Sequence, residues 1–194
     1  TAAELFTNPS RRIFLSVTAL SAAGFLIGCD SKPTAPAGTG AAQAVDAAMN
    51  WFVRVGSDNT VTVLIKHIEF GQGTATGLST LVAEEMDADW SQIRVEHAPS
   101  DSSKYGNTLL GGAQGTGGSS AMADSYQKMR VAGAGARAML IAAAAKRFGA
   151  DGAALVIEKG VVRTADGATT ATFGELAADA AKIAPPAAET LTFK

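Results

Sequence analysis

Two glycine-dense turns constrain this chain more than any other feature. Glu69-Phe70-Gly71-Gln72-Gly73-Thr74-Ala75-Thr76-Gly77 leaves a β-rich run and opens a helical pattern, and Gly111-Gly112-Ala113-Gln114-Gly115-Thr116-Gly117-Gly118-Ser119-Ser120 runs into a second one. Glycine adopts left-handed backbone without steric cost and lets another group approach the main chain closely. A helix entered through such a turn presents unpaired N–H groups and the positive end of its dipole. Together the turns predict a ligand rich in acceptors and negative charge, held by backbone amides, with Gln72 aiming a carboxamide from between two glycines. Ser119 or Ser120 is the expected N-cap of the second helix. Read more plainly, one or both are connecting turns.

The rest of the composition narrows the class. Hydrophobic residues make up 47% and charged residues 18%, with a formal net charge of −2, which fits one domain with a packed core and argues against disorder. No clustered basic face marks a nucleic-acid binder. One cysteine excludes an internal disulfide, a Cys-ligated zinc site or an iron–sulfur cluster on this chain, so redox chemistry would need a borrowed cofactor.

Residues 1–28 read as an export signal and are set aside from the fold. Ser10-Arg11-Arg12 precedes an apolar stretch from Ile13 to Gly28, short of the ~20 residues a spanning helix needs; the paired arginines fit a twin-arginine signal. Leu26-Ile27-Gly28-Cys29 resembles a lipoprotein cleavage box, with Cys29 as the acylated residue. Residues 29–48, rich in Pro, Gly, Ala and Thr, read as a flexible tether. A start at Thr1 rather than Met, and an end just after the strand-like Thr190-Leu191-Thr192-Phe193, suggest a fragment of a longer reading frame, with residues 49–194 as the N-terminal part of a domain.

Within that part, Trp51–Val55 and Val61–Ile65 flank turn residues and predict a hairpin. Leu78, Leu81, Val82 and Met86 lie on one face of a helix from Thr74, and Ile93–His97 alternates as a strand. A long helix is expected from Ser119 to Phe148, with an inward stripe of Met122, Tyr126, Met129, Gly133, Ala136, Leu140 and Ala144. Gly133 and Gly135 within it predict close backbone packing. Leu155–Glu158 and Val161–Arg163 form a second hairpin, and Phe173–Ile183 a short helix. The fold class is α+β: hairpins and short strands against one long and two shorter helices.

Competing motifs can be weighed on residues. No Lys-Ser/Thr pair follows Gly77, so the first turn is not a P-loop. A dinucleotide-binding reading has Gly71, Gly73 and Gly77 between strand and helix and Glu96 about twenty residues on; it requires parallel pairing of the strands ending near Phe70 and at His97. His67 and His97 have no metal-ligand spacing and read as edge residues. Arg130 and Arg137 share a helix face, as an anion clamp or as surface ion pairs, while Asp101, Asp124, Glu84 and Glu85 show no acid/base dyad.

Several ordered motifs carry a family resemblance. Glu69–Gly73, Ala83-Glu84-Glu85-Met86-Asp87-Ala88-Asp89-Trp90, Gln114–Ser120, the run from Arg130 through Arg137 to Leu140, and Phe173-Gly174-Glu175-Leu176-Ala177 resemble the large subunits of molybdenum hydroxylases, above all the isoquinoline 1-oxidoreductase beta-subunit group related to aldehyde oxidases and xanthine dehydrogenases. The resemblance covers Trp51 to Lys194. It implies a molybdopterin dinucleotide, in bacteria usually the cytosine form, and hydroxylation of an aldehyde or N-heteroaromatic carbon with water as oxygen source. It places Gln72 near a molybdenum oxo group and Gly71 and Gly73 against the cofactor, with Thr116, Gly117, Gly118 and Ser119 as further contacts. It also implies a small partner subunit with two [2Fe–2S] clusters and c-type cytochromes as onward acceptors. With export and lipidation, the protein would sit on the periplasmic side of the inner membrane. The family's catalytic glutamate lies far downstream of anything present here, so no catalytic residue is assigned. A non-enzymatic lipoprotein that binds a small ligand or protein partner through the two turns is the competing reading.

Overall fold

A computed structural model describes residues 46–194. The export signal with Arg11 and Arg12, the acylation site Cys29, and all but the end of the expected tether lie outside the described residues. The end of that tether is already structured: Asp46–Ala48 forms strand β1, pairing antiparallel with β2, Val53–Gly56. A strand this short has no readable period, so only its partner defines it.

The expected hairpin joins β2 to β3, Val61–Ile65, with Val53 opposite Val63. Asp58 and Asn59 make the turn: the Asp58 carboxylate accepts from Thr60 N, and Asn59 takes a positive φ of 69°. The chain then crosses over helix α1, Thr74–Met86, to β4, Ile93–His97, which lies parallel to β3 with Ile65 opposite His97. The pairing required for a dinucleotide-binding sheet is therefore present. The rest of the sheet is not of that kind: its order is β1-β2-β3-β4, with antiparallel neighbours on the far side of β3, whereas a doubly wound sheet continues parallel. Glu96 is ion-paired with Arg54 of β2.

The loop after β4 carries a one-turn helix α2, Ser102–Tyr105, and a 3-10 turn at Thr108–Leu110. Helix α3, Ser120–Phe148, follows and spans the core. A second, antiparallel sheet, β5 (Leu155–Glu158), β6 (Val161–Thr164) and β7 (Thr170–Thr172), leads into α4, Phe173–Ala180. Thr172 and Glu175 form a capping box at its start, a motif that satisfies two otherwise orphaned N–H groups. The architecture is α+β, as expected. Among the described residues no helix is long and apolar enough to cross a membrane.

The core joins Val53, Val55, Val61, Val63 and Ile65 of the first sheet to Leu78, Val82 and Met86 of α1, Met129, Met139 and Leu140 of α3, and Phe173 and Leu176 of α4. The stripe expected on α3 holds from Met129 to Ala144 and fails before it. Met122 and Tyr126 are 38% and 47% exposed, because the first turns of α3 run beyond the apolar core and bury Ala121, Asp124 and Ser125 instead. Close backbone packing is real at Gly133, where a Cβ would lie 2.8 Å from Glu85 Cβ and 3.1 Å from Val82 O. At Gly135 a Cβ would meet nothing within 4 Å; two residues apart on a helix, the glycines face different sides. The strand-like Thr190–Phe193 is no strand. A 3-10 turn at Ala188–Thr190 leads the segment along α3, where Arg137 donates to Thr192 O and Arg130 to Lys194 O. Arg130 also pairs with buried Glu85 at 2.7 Å, so these arginines brace the fold and form no anion clamp.

Candidate functional site

The first glycine turn begins where β3 ends. Lys66 and His67 turn inward and are buried, while Ile68 and Phe70 stand 63% and 73% exposed. Gly71 and Gly73 have φ of 103° and 81°, values only glycine adopts cheaply. The expectation of open amides at the start of α1 needs correction. The Glu69 carboxylate accepts from Gly71 N at 2.7 Å, Gly73 N at 3.1 Å and Ala75 N at 2.9 Å. These bonds, that from Ala75 foremost, hold its pKa below the ordinary carboxylate range. The chain thus supplies its own anion to this helix entrance. Gln72 folds over the same turn: its Nε2 donates to Ile68 O at 2.6 Å, and its Oε1 accepts from Phe70 N at 2.8 Å.

The second glycine turn is organised from below. Asn107, fully buried, accepts from Leu109 N and donates from Nδ2 to Ser120 Oγ at 2.8 Å; Ser120 in turn donates to Gly117 O at 2.7 Å. Gln114, close to glycines like Gln72, is turned away, donating to Pro99 O and accepting from Asp101 N. Ser119 occupies the N-cap position with φ 53° but makes no side-chain cap. Gly117, Gly118 and Ser119 are exposed, and a Cβ at either glycine would meet nothing within 4 Å. This helix entrance, unlike that of α1, has no carboxylate folded onto it among the described residues.

The two turns meet. Ile68 N donates to Thr116 Oγ1 at 2.8 Å. His67 Nδ1 lies 3.2 Å from Gly115 O, and its Nε2 2.8 Å from Ser125 Oγ on α3. Burial, reinforced by the Lys66 charge, holds the His67 pKa below its ordinary value. The ring is thus neutral, and since a carbonyl only accepts, Nδ1 carries the proton and Nε2 accepts from the Ser125 hydroxyl. Beside this junction, at the carboxyl ends of β3 and β4, lies a cleft of about 470 Å³ walled by Lys66, His67, Ile68, His97, Gln114 and Thr116. Crevices beyond the carboxyl ends of parallel strands are the usual ligand positions of βαβ units.

A profile of the family described as molybdopterin cofactor-binding domain matches residues 20–194. The chain belongs to this family. It is 41% identical over 129 residues to the beta subunit of isoquinoline 1-oxidoreductase from Brevundimonas diminuta, covering 66% of this chain and 16% of that protein. Against a nicotinate dehydrogenase subunit from Pseudomonas putida it is 31% identical over 176 residues, 87% of this chain and 13% of that protein. Among solved structures, reconstituted CO dehydrogenase from Oligotropha carboxidovorans superposes with a TM-score of 0.50 at 20% identity, over 64% of this chain and 15% of that one; this likeness shows the fold. The chain spans about one sixth or less of the length of these relatives.

As part of a molybdopterin-binding domain, the two turns can be tested against such a group. A phosphate-bearing, acceptor-rich pterin fits the entrance of α3, where Ser120 N is spent on Gly117 O but the amides after it carry no side-chain cap and Gly117 and Gly118 leave room for close approach. It does not fit the entrance of α1 as an anion site while Glu69 holds those amides. There the molybdopterin-binding domain offers a neutral donor instead. The Gln72 amide nitrogen carries two protons, and one bond to Ile68 O fixes the group while leaving a second N–H for a ligand.

The domain also holds a charge cluster that the sequence does not announce. Asp124, with a fully buried side chain, is paired with Lys66, whose side chain is 2% exposed, and with Lys128 at 2.9 Å. Its other oxygen accepts from Thr108 N at 2.8 Å, and Lys66 donates also to Gly106 O at 2.6 Å. The cluster ties the end of β3, the 106–108 loop and α3 together beneath the junction of the two turns.

Proposed function

We propose that the full-length protein is the molybdopterin-binding catalytic subunit of an exported oxidoreductase, hydroxylating an N-heteroaromatic carbon or an aldehyde with water as oxygen source. The observation that carries this reading is the meeting of the two glycine turns through Thr116, Ile68, His67 and Gly115, which gives one ligand access to both. The names of two relatives, isoquinoline and nicotinate enzymes, point to a nitrogen heterocycle, while that of a third, an aldehyde dehydrogenase, keeps the aldehyde.

The bound cofactor, in its cytosine dinucleotide form, supplies a two-electron redox centre. This chain's residues would hold it: Gly117, Gly118 and Ser119 at the entrance of α3 would receive its negative groups, Gly71 and Gly73 would allow it close to the backbone, and Gln72 would offer it the remaining N–H. Electrons leave through a small subunit with [2Fe–2S] clusters, then to a c-type cytochrome. Arg11 and Arg12 direct export of the folded protein, and acylated Cys29 anchors it on the periplasmic side of the inner membrane.

Expression of the full reading frame with its small subunit is expected to give about one molybdenum and one pterin per chain, with CMP released on acid hydrolysis; stoichiometric protein containing neither would reject the reading. Gln72→Ala is expected to lower kcat by about 10²-fold, the usual effect of losing one preorganised donor to a reacting group, with the fold intact. Cys29→Ala should move the enzyme from the membrane pellet to the soluble periplasmic fraction, and retention in the pellet would remove the lipid anchor.

A further inference from the structure

The hydroxyl oxygen of Thr116 is already engaged within the chain: it serves as acceptor for Ile68 N at 2.8 Å. Ile68 is exposed to 63% and lies outside the core that would otherwise hold it. Its backbone is instead fixed from two directions. On the amide side are Thr116 and the neighbouring His67, whose ring is fully buried between Gly115 O and Ser125 Oγ. On the carbonyl side Ile68 O accepts from Gln72 Nε2 at 2.6 Å. An exposed carboxamide on a glycine-flanked turn would otherwise sample several rotamers, because glycine neighbours add backbone freedom. The bond to Ile68 O, with that from Phe70 N to Gln72 Oε1, selects one of them, and the first points where Thr116 has set the Ile68 backbone.

We propose that Thr116 is a positioning residue for Gln72, acting through the backbone of Ile68, so that the second glycine turn sets the direction of the donor on the first. The role rests on the reading of Gln72 given above. It differs from a direct contact between Thr116 and the cofactor, because it needs the hydroxyl oxygen as acceptor and Gln72 as the group acted upon.

The test uses the holoenzyme with Thr116→Val, which keeps the shape and removes the acceptor, and Thr116→Ser, which restores it. Amide exchange over residues 67–73 is expected to speed up in Thr116→Val and return to the parent rate in Thr116→Ser. The Val variant should keep its molybdenum and lose about tenfold in kcat, recovered by Ser. In a Gln72→Ala background, Thr116→Val should cost nothing further, since groups acting as a unit are non-additive. Unchanged exchange in Thr116→Val, full additivity with Gln72→Ala, or loss of molybdenum with unchanged kcat per metal would each overturn the proposal. Metal-free parent enzyme would instead bring down the reading of Gln72 itself, an outcome told apart by the exchange measurement, which needs no turnover.

Discussion

Replacing Asp124 by alanine is expected to destabilise the protein by about 3–5 kcal/mol, the usual result of removing one partner from a buried ion pair. Lys66 is left with its side chain 2% exposed, with Gly106 O and no carboxylate, and its neighbour Lys128 then adds repulsion. Against a typical total of about 5–15 kcal/mol, this is the largest single loss we expect from one side chain here. The pH dependence has a definite sign. Burial by itself would raise the Asp124 carboxyl, but hydrogen bonds from Lys66, Thr108 and Lys128 outweigh it and hold the group far below the ordinary carboxylate range. A carboxyl depressed in the folded state contributes stability that is complete above its unfolded pKa, about 3.9, and is lost as pH falls below that value. The Lys66 pKa is lowered, chiefly by burial, with Asp124 opposing the shift. Without Asp124 that opposition goes, so the variant should lose Asp124's share of the acid-limb dependence and gain stability as pH rises and Lys66 discharges. Urea midpoints of parent and variant between about pH 3 and 10 read both effects; a loss below about 1 kcal/mol at neutral pH would mean that Lys66 finds other solvation.

What the sequence announces and what it hides divide along a physical line. Local chemistry is legible: the Asp58–Asn59 turn between two β-rich runs, the Thr172/Glu175 capping box and the Leu78, Val82, Met86 face of α1 all follow from residues a few positions apart. So are the two glycine turns and, by resemblance, the family. Contacts between distant positions are not. Lys66 and Asp124 are 58 residues apart, and each alone looks like an ordinary surface charge; only the fold makes them a buried pair. Glu69 reads as one more loop acid, although it lies within hydrogen-bonding reach of three amides of its own turn. That is a local signal, a carboxylate shortly before a glycine-rich helix start, and it is readable from the residues. Met122 and Tyr126 keep helical spacing with the core stripe yet stand exposed, because periodicity says which face a residue occupies and not how far the core extends along it. The parallel partner of β3 is equally hidden, since strands Val61–Ile65 and Ile93–His97 have the same alternation in either direction.

The second large effect is expected at Gly133. The α1–α3 crossing is set by backbone contact: a Cβ there would come to 2.8 Å from Glu85 Cβ, 3.1 Å from Val82 O and 3.2 Å from Val82 Cα. Most of those atoms belong to the main chain of α1, which cannot retreat without pulling Leu78, Val82 and Met86, each fully buried, off the sheet. Gly133→Val is expected to cost about 3 kcal/mol, at the upper end of overpacking penalties. Gly133→Ala and Gly135→Ala form the controlled comparison, because both carry the same helix-propensity gain of about 1 kcal/mol. At Gly135 the added methyl meets nothing within 4 Å, so that gain should appear whole as a higher Tm, while at Gly133 it should be cancelled or reversed. The difference between the two variants is packing alone, and equal Tm values would show that α1 can slide freely along α3.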